Sequence, residues 1–314
     1  MNRTPPLNAA ELGVALPPLP VDRRYDPRYG ECVEVTPLIR RVLASNPSPF
    51  TFHGTGTYLV GRGRVAVIDP GPALPAHVAA LERALAGETV THLLVTHTHG
   101  DHSPAAALLQ ASCGAPTYGY GPHGAGKREA GITVEEGGDM DFVPDVRLRD
   151  GEVLRGEGWT LEAVYTPGHT SNHLCFALRE EQALFSGDHV MGWSTSVIVP
   201  PDGDMAQYLA SLEKLRARDD RRYYPTHGAP IEDPRGFVSA LIAHRHARER
   251  QLLACLAHGL TRIAAMVPVV YSEVDPRLHP AASMSVLAHL IHMIDTGRVV
   301  CDGSPGLAAE YFLP

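Results

Sequence analysis

The chain has 314 residues, enough to bury a large core in one big domain or in a large domain with a small companion. Hydrophobic residues at 44% and charged residues at 20% exclude a disordered chain. A formal net charge of -8, with Lys127 and Lys214 the only lysines and 25 arginines supplying the other basic side chains, gives no general attraction for nucleic-acid backbones.

Residues 1–24 are Pro-rich and without pattern, and are expected to form an extended or surface-packed arm. "GTYLVG" and "VAVIDPG" predict two strands joined by "RGR", the second one buried. "PAHVAALERALAG" has helical spacing with Gly87 as its stop, and "VTHLLVTH" returns as a buried strand. "SPAAALLQASCG" predicts a helix with Ser103 as N-cap, Pro104 at the first helical position and Gly114 at the end. "WTLEAVYTPGHT", "HLCFALREEQALFSGDHV" and "RRYYPTHGAP" each carry a β run that stops at a Gly-flanked His or Asp. In an α/β scaffold such loop positions hold the chemistry. The composition then shifts. "GFVSALIAHRHARERQLLACLAHG", "LTRIAAMVPVVY" and "AASMSVLAHLIHMIDTG" are helical by spacing, and "GRVVCDG" with "AEYFLP" suggests a terminal hairpin. The expected division is an arm over 1–24, a catalytic domain over 25–235 and a winged-helix-like domain over 236–314.

Five cysteines, Cys32, Cys113, Cys175, Cys255 and Cys301, form no C-x-x-C pair and predict free thiols in a reducing compartment. The N-terminus lacks an apolar core of signal-peptide length, and no stretch is apolar for long enough to span a bilayer. A cytoplasmic protein without membrane contact is expected.

Histidine, at 17 residues, is over-represented, and its placement points to metal. In "THTHGDH", His97 and His99 can turn toward one point, and Asp101 and His102 follow through a glycine. His169 in "TPGHT", Asp188 in "SGDH" and His227 in "PTHG" each end a β run in a tight turn. His97, His99 and His169 supply three nitrogens for one ion, Asp101, His102 and His227 suit a second, and Asp188 can bridge both. His173 and His189 follow these positions closely enough to orient them. His53, His244, His246, His289 and His292 are expected in the surface or core. His289 and His292 lie three apart on one helix face without an acidic or cysteine neighbour in sequence.

This H-x-H-x-D-H pattern and the order of the downstream residues resemble the metallo-β-lactamase fold superfamily over about residues 30–230. The resemblance implies an α/β (α+β) fold, a four-layer αββα sandwich with ions at one edge. "VIDPG" matches the superfamily's first motif and makes Asp69 a structural residue or a support for the ligands. The implied cofactors are two zinc ions, with iron or manganese accepting the same donors. The expected chemistry is attack by a metal-bridging hydroxide on an ester, thioester or phosphodiester, with Asp101 and Asp188 as the catalytic carboxylates. Asp101 orients the nucleophile or takes its proton.

Asp188 sets the chain apart from true metallo-β-lactamases, which lack an aspartate bridge there. "HRHARERQLL" and the helices after it look like the lactamase-beta-2-like branch, where a winged-helix-like domain is appended and one lineage has endoribonuclease activity. In that branch the loop after Asp188 borders the active-site mouth, which makes Ser194 and Thr195 candidates for substrate contact. Glyoxalase II, a hydroxyacylglutathione thioesterase with the same ligands, is the leading alternative, although no lysine follows Lys214 to hold glutathione. A non-enzymatic reading is a metal-binding regulatory or partner-binding protein. The expected partner is a small-molecule substrate or single-stranded RNA. DNA is not expected, because the would-be recognition helix has no Arg or Lys before Arg298. The oligomeric state is not fixed by the sequence.

Overall fold

The computed structural model describes residues 12–125, 127 and 137–314, so the first eleven residues of the expected arm lie outside the described residues. Strands β1 (Cys32–Glu34), β2 (Ile39–Leu43), β3 (Gly56–Val60) and β4 (Arg64–Ile68) form an antiparallel meander. Helix α1 (Pro75–Ala84) then crosses over to β5 (Thr89–Leu94), which runs parallel to β4. Helix α2 (Ala105–Cys113) leads to β6 (Thr117–Gly119), with β7 (Val146–Arg147) beside it. These seven strands lie in chain order. A second sheet takes β8 (Val153–Arg155), β9 (Thr160–Tyr165), β10 (Leu174–Leu178) and β11 (Ala183–Gly187) antiparallel in turn. After α3 (Met205–Arg216), β12 (Arg222–Pro225) pairs in parallel with β11.

Side-chain alternation with period two decides the layers. In β4, Ala66 and Ile68 face the second sheet, while Val65 and Val67 pack on Leu81 of α1 and Leu109 of α2. In β10, Leu174, Phe176 and Leu178 fill the space between the sheets, while Cys175 and Ala177 pack on Tyr208 and Leu212 of α3. Every strand that is apolar on both faces is thus covered twice, and the result is an αββα sandwich. The pattern reading leaves helix α3 unassigned, along with strands β1, β2, β6, β7 and β8. The signals of α3 are Asp204, whose side chain accepts from Gln207 N, and the buried series Met205, Tyr208, Leu209, Leu212 and Leu215.

One expectation changes locally. Pro104, not Ser103, is the N-cap of α2, and no side chain caps that helix. The Ser103 hydroxyl donates instead to Asp139 Oδ2 at 2.5 Å. The helix begins one residue later than expected, so Ser103 Oγ is not placed to accept from its free N–H groups, and its proton goes to the charged acceptor in reach.

Helix α4 (Pro234–Ala257) belongs to two cores. Phe237, Val238, Leu241 and Ile242 pack on the sandwich, whereas Leu252, Cys255 and Leu256 pack on α5 (Ile263–Val270) and α6 (His279–Asp295). The expected terminal hairpin forms from β13 (Val300–Cys301) and β14 (Tyr311–Phe312). The arm straps this assembly: Leu12 enters the second core, Val14 O accepts from Gln251, and Leu19 and Val21 lie on the first core. All five cysteines are free. Among the described residues no helix is long and apolar enough to cross a membrane.

The expectation that His289 and His292 have no acidic partner is overturned by Glu249, which α4 places between the helices. Glu249 Oε1 lies 2.7 Å from His292 Nδ1 and 3.5 Å from His289 Nδ1, and Oε2 accepts from Arg298 at 2.7 Å. The partner is supplied from forty residues upstream, which sequence neighbourhood does not reveal. Burial opposes the Glu249 charge, but His289, His292 and Arg298 hold its carboxyl well below the usual range. A depressed folded-state pKa gives stability that is complete above the unfolded carboxyl value of 4.5 and is lost as pH falls. Glu249→Gln should therefore lower stability at pH 7 by about 2–3 kcal/mol, with the gap to the parent narrowing below pH 4.5, as chemical denaturation across pH will read.

Candidate metal centre and its cavity

Strands β9, β11 and β12 run in one direction within their sheet, and β4 and β5 run together in theirs. Their carboxyl ends, with the start of β3, bring the polar loops to one edge of the sandwich. The β5 end carries His97, His99, Asp101 and His102, the β9 end His169, the β11 end Asp188 and the β12 end His227. Two glycines permit the close approach. Gly168 has φ +134° and a Cβ there would lie 2.3 Å from the Tyr208 backbone. Gly187 has φ +51° and a Cβ would lie 2.6 Å from His173 Nε2.

The seven residues converge in two groups. His97 Nε2 lies 2.9 Å from His99 Nδ1, which lies 3.2 Å from His169 Nε2, and Asp188 Oδ2 is 3.9 Å from the latter. His227 Nε2 lies 3.2 Å and His102 Nε2 3.4 Å from Asp101 Oδ2. Asp188 reaches the second group too, with Oδ1 3.3 Å from His227 Nε2 and Oδ2 3.5 Å from His102 Nε2. A tetrahedron of donors about 2.05 Å from a zinc ion has edges of about 3.3 Å, so these separations fit a cation at each centre. His102 Nε2 and Asp188 Oδ1 are buried without a hydrogen-bond partner, which a bound cation would satisfy. Each group can hold a metal ion.

Hydrogen bonds at the far ring nitrogens aim the histidines. Thr96 Oγ1 lies 3.0 Å from His97 Nδ1, Asp69 Oδ2 3.0 Å from His102 Nδ1, Val197 O 2.7 Å from His169 Nδ1 and Gly54 O 3.0 Å from His227 Nδ1. Thr55 donates to Asp101 Oδ2 at 2.7 Å. Asp69 is itself held by Thr96 N and Oγ1, each at 2.8 Å, and by Thr226 Oγ1 at 3.2 Å. His173 accepts from Asp188 N at 3.3 Å, with its other nitrogen 2.9 Å from Thr166 Oγ1, so it fixes the loop rather than a side chain. His189 has no hydrogen bond at either nitrogen, and its ring packs 4.5 Å from that of Tyr208. Burial lowers its pKa to about 3. Thr55, Thr96, Thr226 and the carbonyls of Gly54 and Val197 are the contributors that sequence reasoning missed. Thr96 and Thr226 stand beside motif histidines, which is a weak signal, whereas Thr55 and the carbonyls leave none.

Charge is distributed to match. Burial opposes protonation of His102, yet Asp101, Asp188 and Asp69 hold its pKa well above the usual imidazole range. Burial likewise opposes His227, which Asp188 and Asp101 raise to about 10. Burial pushes both carboxyls up, but His102 and His227 keep Asp101 and Asp188 below the carboxylate range. His97, desolvated beside His102 and His99, is pushed well below its usual value. The carboxylates thus make a negative centre in a buried place, where a divalent cation gains most.

Above the two groups opens a cavity of about 650 Å³. His99, Asp101, His169, Asp188 and His227 form its floor, and Phe50, Met191, Val199, Met284 and Leu307 are among its walls. Pro280, Ala281, Ser283 and Met284 come from the first turns of α6, so the C-terminal module walls the cavity. Ser194 and Thr195 do not lie on this floor. They line a smaller cavity beside it.

The fold and site define a hydrolase of a known superfamily. Residues 51–227 match the metallo-beta-lactamase superfamily, and residues 263–307 match the beta-lactamase associated winged helix domain. The chain is 33% identical over 243 residues to atrochrysone carboxyl ACP thioesterase dmxR1 of a Cryptosporiopsis species, covering 76% of this chain and 69% of that protein. It is 35% identical over 270 residues to atrochrysone carboxyl ACP thioesterase AgnL7 of Paecilomyces divaricatus, covering 84% and 76%. A beta-lactamase domain protein of Burkholderia ambifaria has the same fold at 23% identity, with a TM-score of 0.77 over 98% of this chain and all of that one. The chain therefore belongs to the metallo-β-lactamase superfamily and carries the winged-helix domain that accompanies it.

Asp69→Asn keeps the side-chain shape but removes the charge that His102, Thr96 and Thr226 share. Affinity for added zinc should fall about 10- to 100-fold in a chelator competition, while a circular-dichroism melt reports whether the fold is kept.

Proposed function

We propose that the chain is a zinc-dependent thioesterase that releases an apolar acyl group from a carrier-held thiol. The observation that carries this reading is the cavity over the His/Asp cluster, whose described lining residues include no Arg or Lys. An RNA strand or a glutathione moiety would need cations along its path, whereas Phe50, Met191, Val199, Met284 and Leu307 offer apolar contact. Relatives named as acyl carrier protein thioesterases support the same bond class.

His97, His99 and His169 would hold one zinc ion, Asp101, His102 and His227 the other, with Asp188 shared. Bound there, the ions supply a water of lowered pKa and polarise the acyl carbonyl. Asp101 borders the cavity with its Oδ2 pinned by Thr55, so it orients the attacking water. The water oxygen joins the acyl carbon, the C–S bond breaks, and the proton leaves with the thiol. A thiol with a pKa of about 8.5 departs without a strong acid beside it. The apolar walls keep bulk water from the acyl chain.

Side-by-side turnover separates the bond classes. The zinc-loaded chain should hydrolyse an acyl-N-acetylcysteamine thioester, and the same acyl group on an acyl carrier protein, about 100-fold or more faster than bis(p-nitrophenyl) phosphate. S-lactoylglutathione should be a poor substrate. Preference for the phosphodiester would overturn the proposal and favour a nuclease.

A further inference from the structure

Three arginines are buried among the described residues, Arg40, Arg245 and Arg248, and a carboxylate pairs with only the first. Arg40, on β2, donates to Glu88 at 2.7 Å. Arg248 lines a cavity with Gln251 and Tyr271, and Arg245, also on α4, lines the one that shares walls with the cavity over the metal centre. Arg245 is 3% exposed, and no carboxylate partners it among the described residues. Its Nη2 donates to Ser196 O, its guanidinium lies 5.0 Å from the Tyr208 ring centre, and its Nε is buried without a partner. Arg248, one turn on, also lacks a carboxylate, but Gln251 and Val270 O accept from it and Tyr271 stacks under it at 4.0 Å. Two buried cations on one helix face, with only neutral hydrogen-bond partners, leave a positive potential that no carboxylate pairs with among the described residues.

Arg245 lines a side cavity of about 150 Å³ together with Trp193, Ser194, Thr195, Tyr271 and Ser285. That volume is the size of a cavity that holds one benzene ring. The side cavity shares the walls Phe50, Met191, Val197 and Ala281 with the cavity over the metal centre. The two cavities therefore adjoin across these residues.

We propose that this side cavity is the subsite for a carboxylate on the remote, ring-sized end of the acyl group, with Arg245 as its counter-charge and Ser194 and Thr195 as hydroxyl donors. The inference rests on the thioesterase reading above. A planar guanidinium matches a carboxylate with parallel N–H bonds, and the aromatic walls take the ring that carries it. The substrate class is then narrower than apolar acyl thioesters: it is aromatic acyl thioesters bearing an acid.

The test compares S-(3-carboxybenzoyl)-N-acetylcysteamine with S-benzoyl-N-acetylcysteamine on the zinc-loaded chain. The parent should prefer the acid by about tenfold or more in kcat/KM, mostly through KM. In Arg245→Gln the ratio should fall to about one, and in Ser194→Asp, which places a carboxylate beside Arg245, it should fall as far. Ser194→Asp decides the matter if Arg245→Gln does not fold. An unchanged ratio in the variants, or no preference in the parent, overturns the proposal. If neither thioester is cleaved, the thioesterase reading fails, and binding of benzene-1,3-dicarboxylate, read by tryptophan fluorescence, still decides the subsite. Saturable binding weakened about tenfold or more in Arg245→Gln supports it, and equal binding or none by the parent refutes it.

Discussion

One buried carboxylate holds the active edge together. Asp69 sits at the end of β4 with φ +49° and 1% exposure, and its two oxygens accept from Thr96 twice, from His102 and from Thr226. Thr96 belongs to the loop after β5 and Thr226 to the loop after β12, so a single side chain ties an edge of one sheet to an edge of the other. A buried charge is tolerated only when it is saturated with donors, and this requirement fixes where the histidine loop lies. The positions of His97 and His102 follow from that constraint, and the two donor groups follow from theirs.

The C-terminal module is part of the same site. Helix α4 packs its first half on the sandwich and its second half on α5 and α6, and the first turns of α6 then wall the cavity. Glu249 ties α4 to His292 of α6 and to Arg298 just beyond it. The absence of Arg and Lys from α6 before Arg298 fits a helix turned toward an apolar substrate. A groove-reading helix would require the opposite.

What the sequence disclosed and what it withheld divide along physical lines. Short motifs such as "THTHGDH" and "SGDH" carry side chains whose chemistry is specific, so the seven converging residues were legible before any coordinates. Strand and helix periodicity likewise gave the elements that carry them, but not α3 or the short strands β1, β2, β6, β7 and β8. Contacts between distant segments were not legible: Gly54 O under His227, Val197 O under His169, Glu249 under His292, and Arg245 with no counter-ion. A carbonyl has no residue identity, and a missing partner shows only when every neighbour is in place. Ser103 illustrates the same limit, because its partner is a carboxylate thirty-six residues away.

The proposed pair of ions is tested most directly by counting metal per chain in purified protein, together with His97→Ala and His227→Ala. The account predicts about two zinc ions per folded parent chain and the loss of about one or more in each variant. A folded parent that retains no divalent metal after zinc loading, or variants with undiminished content, would contradict it.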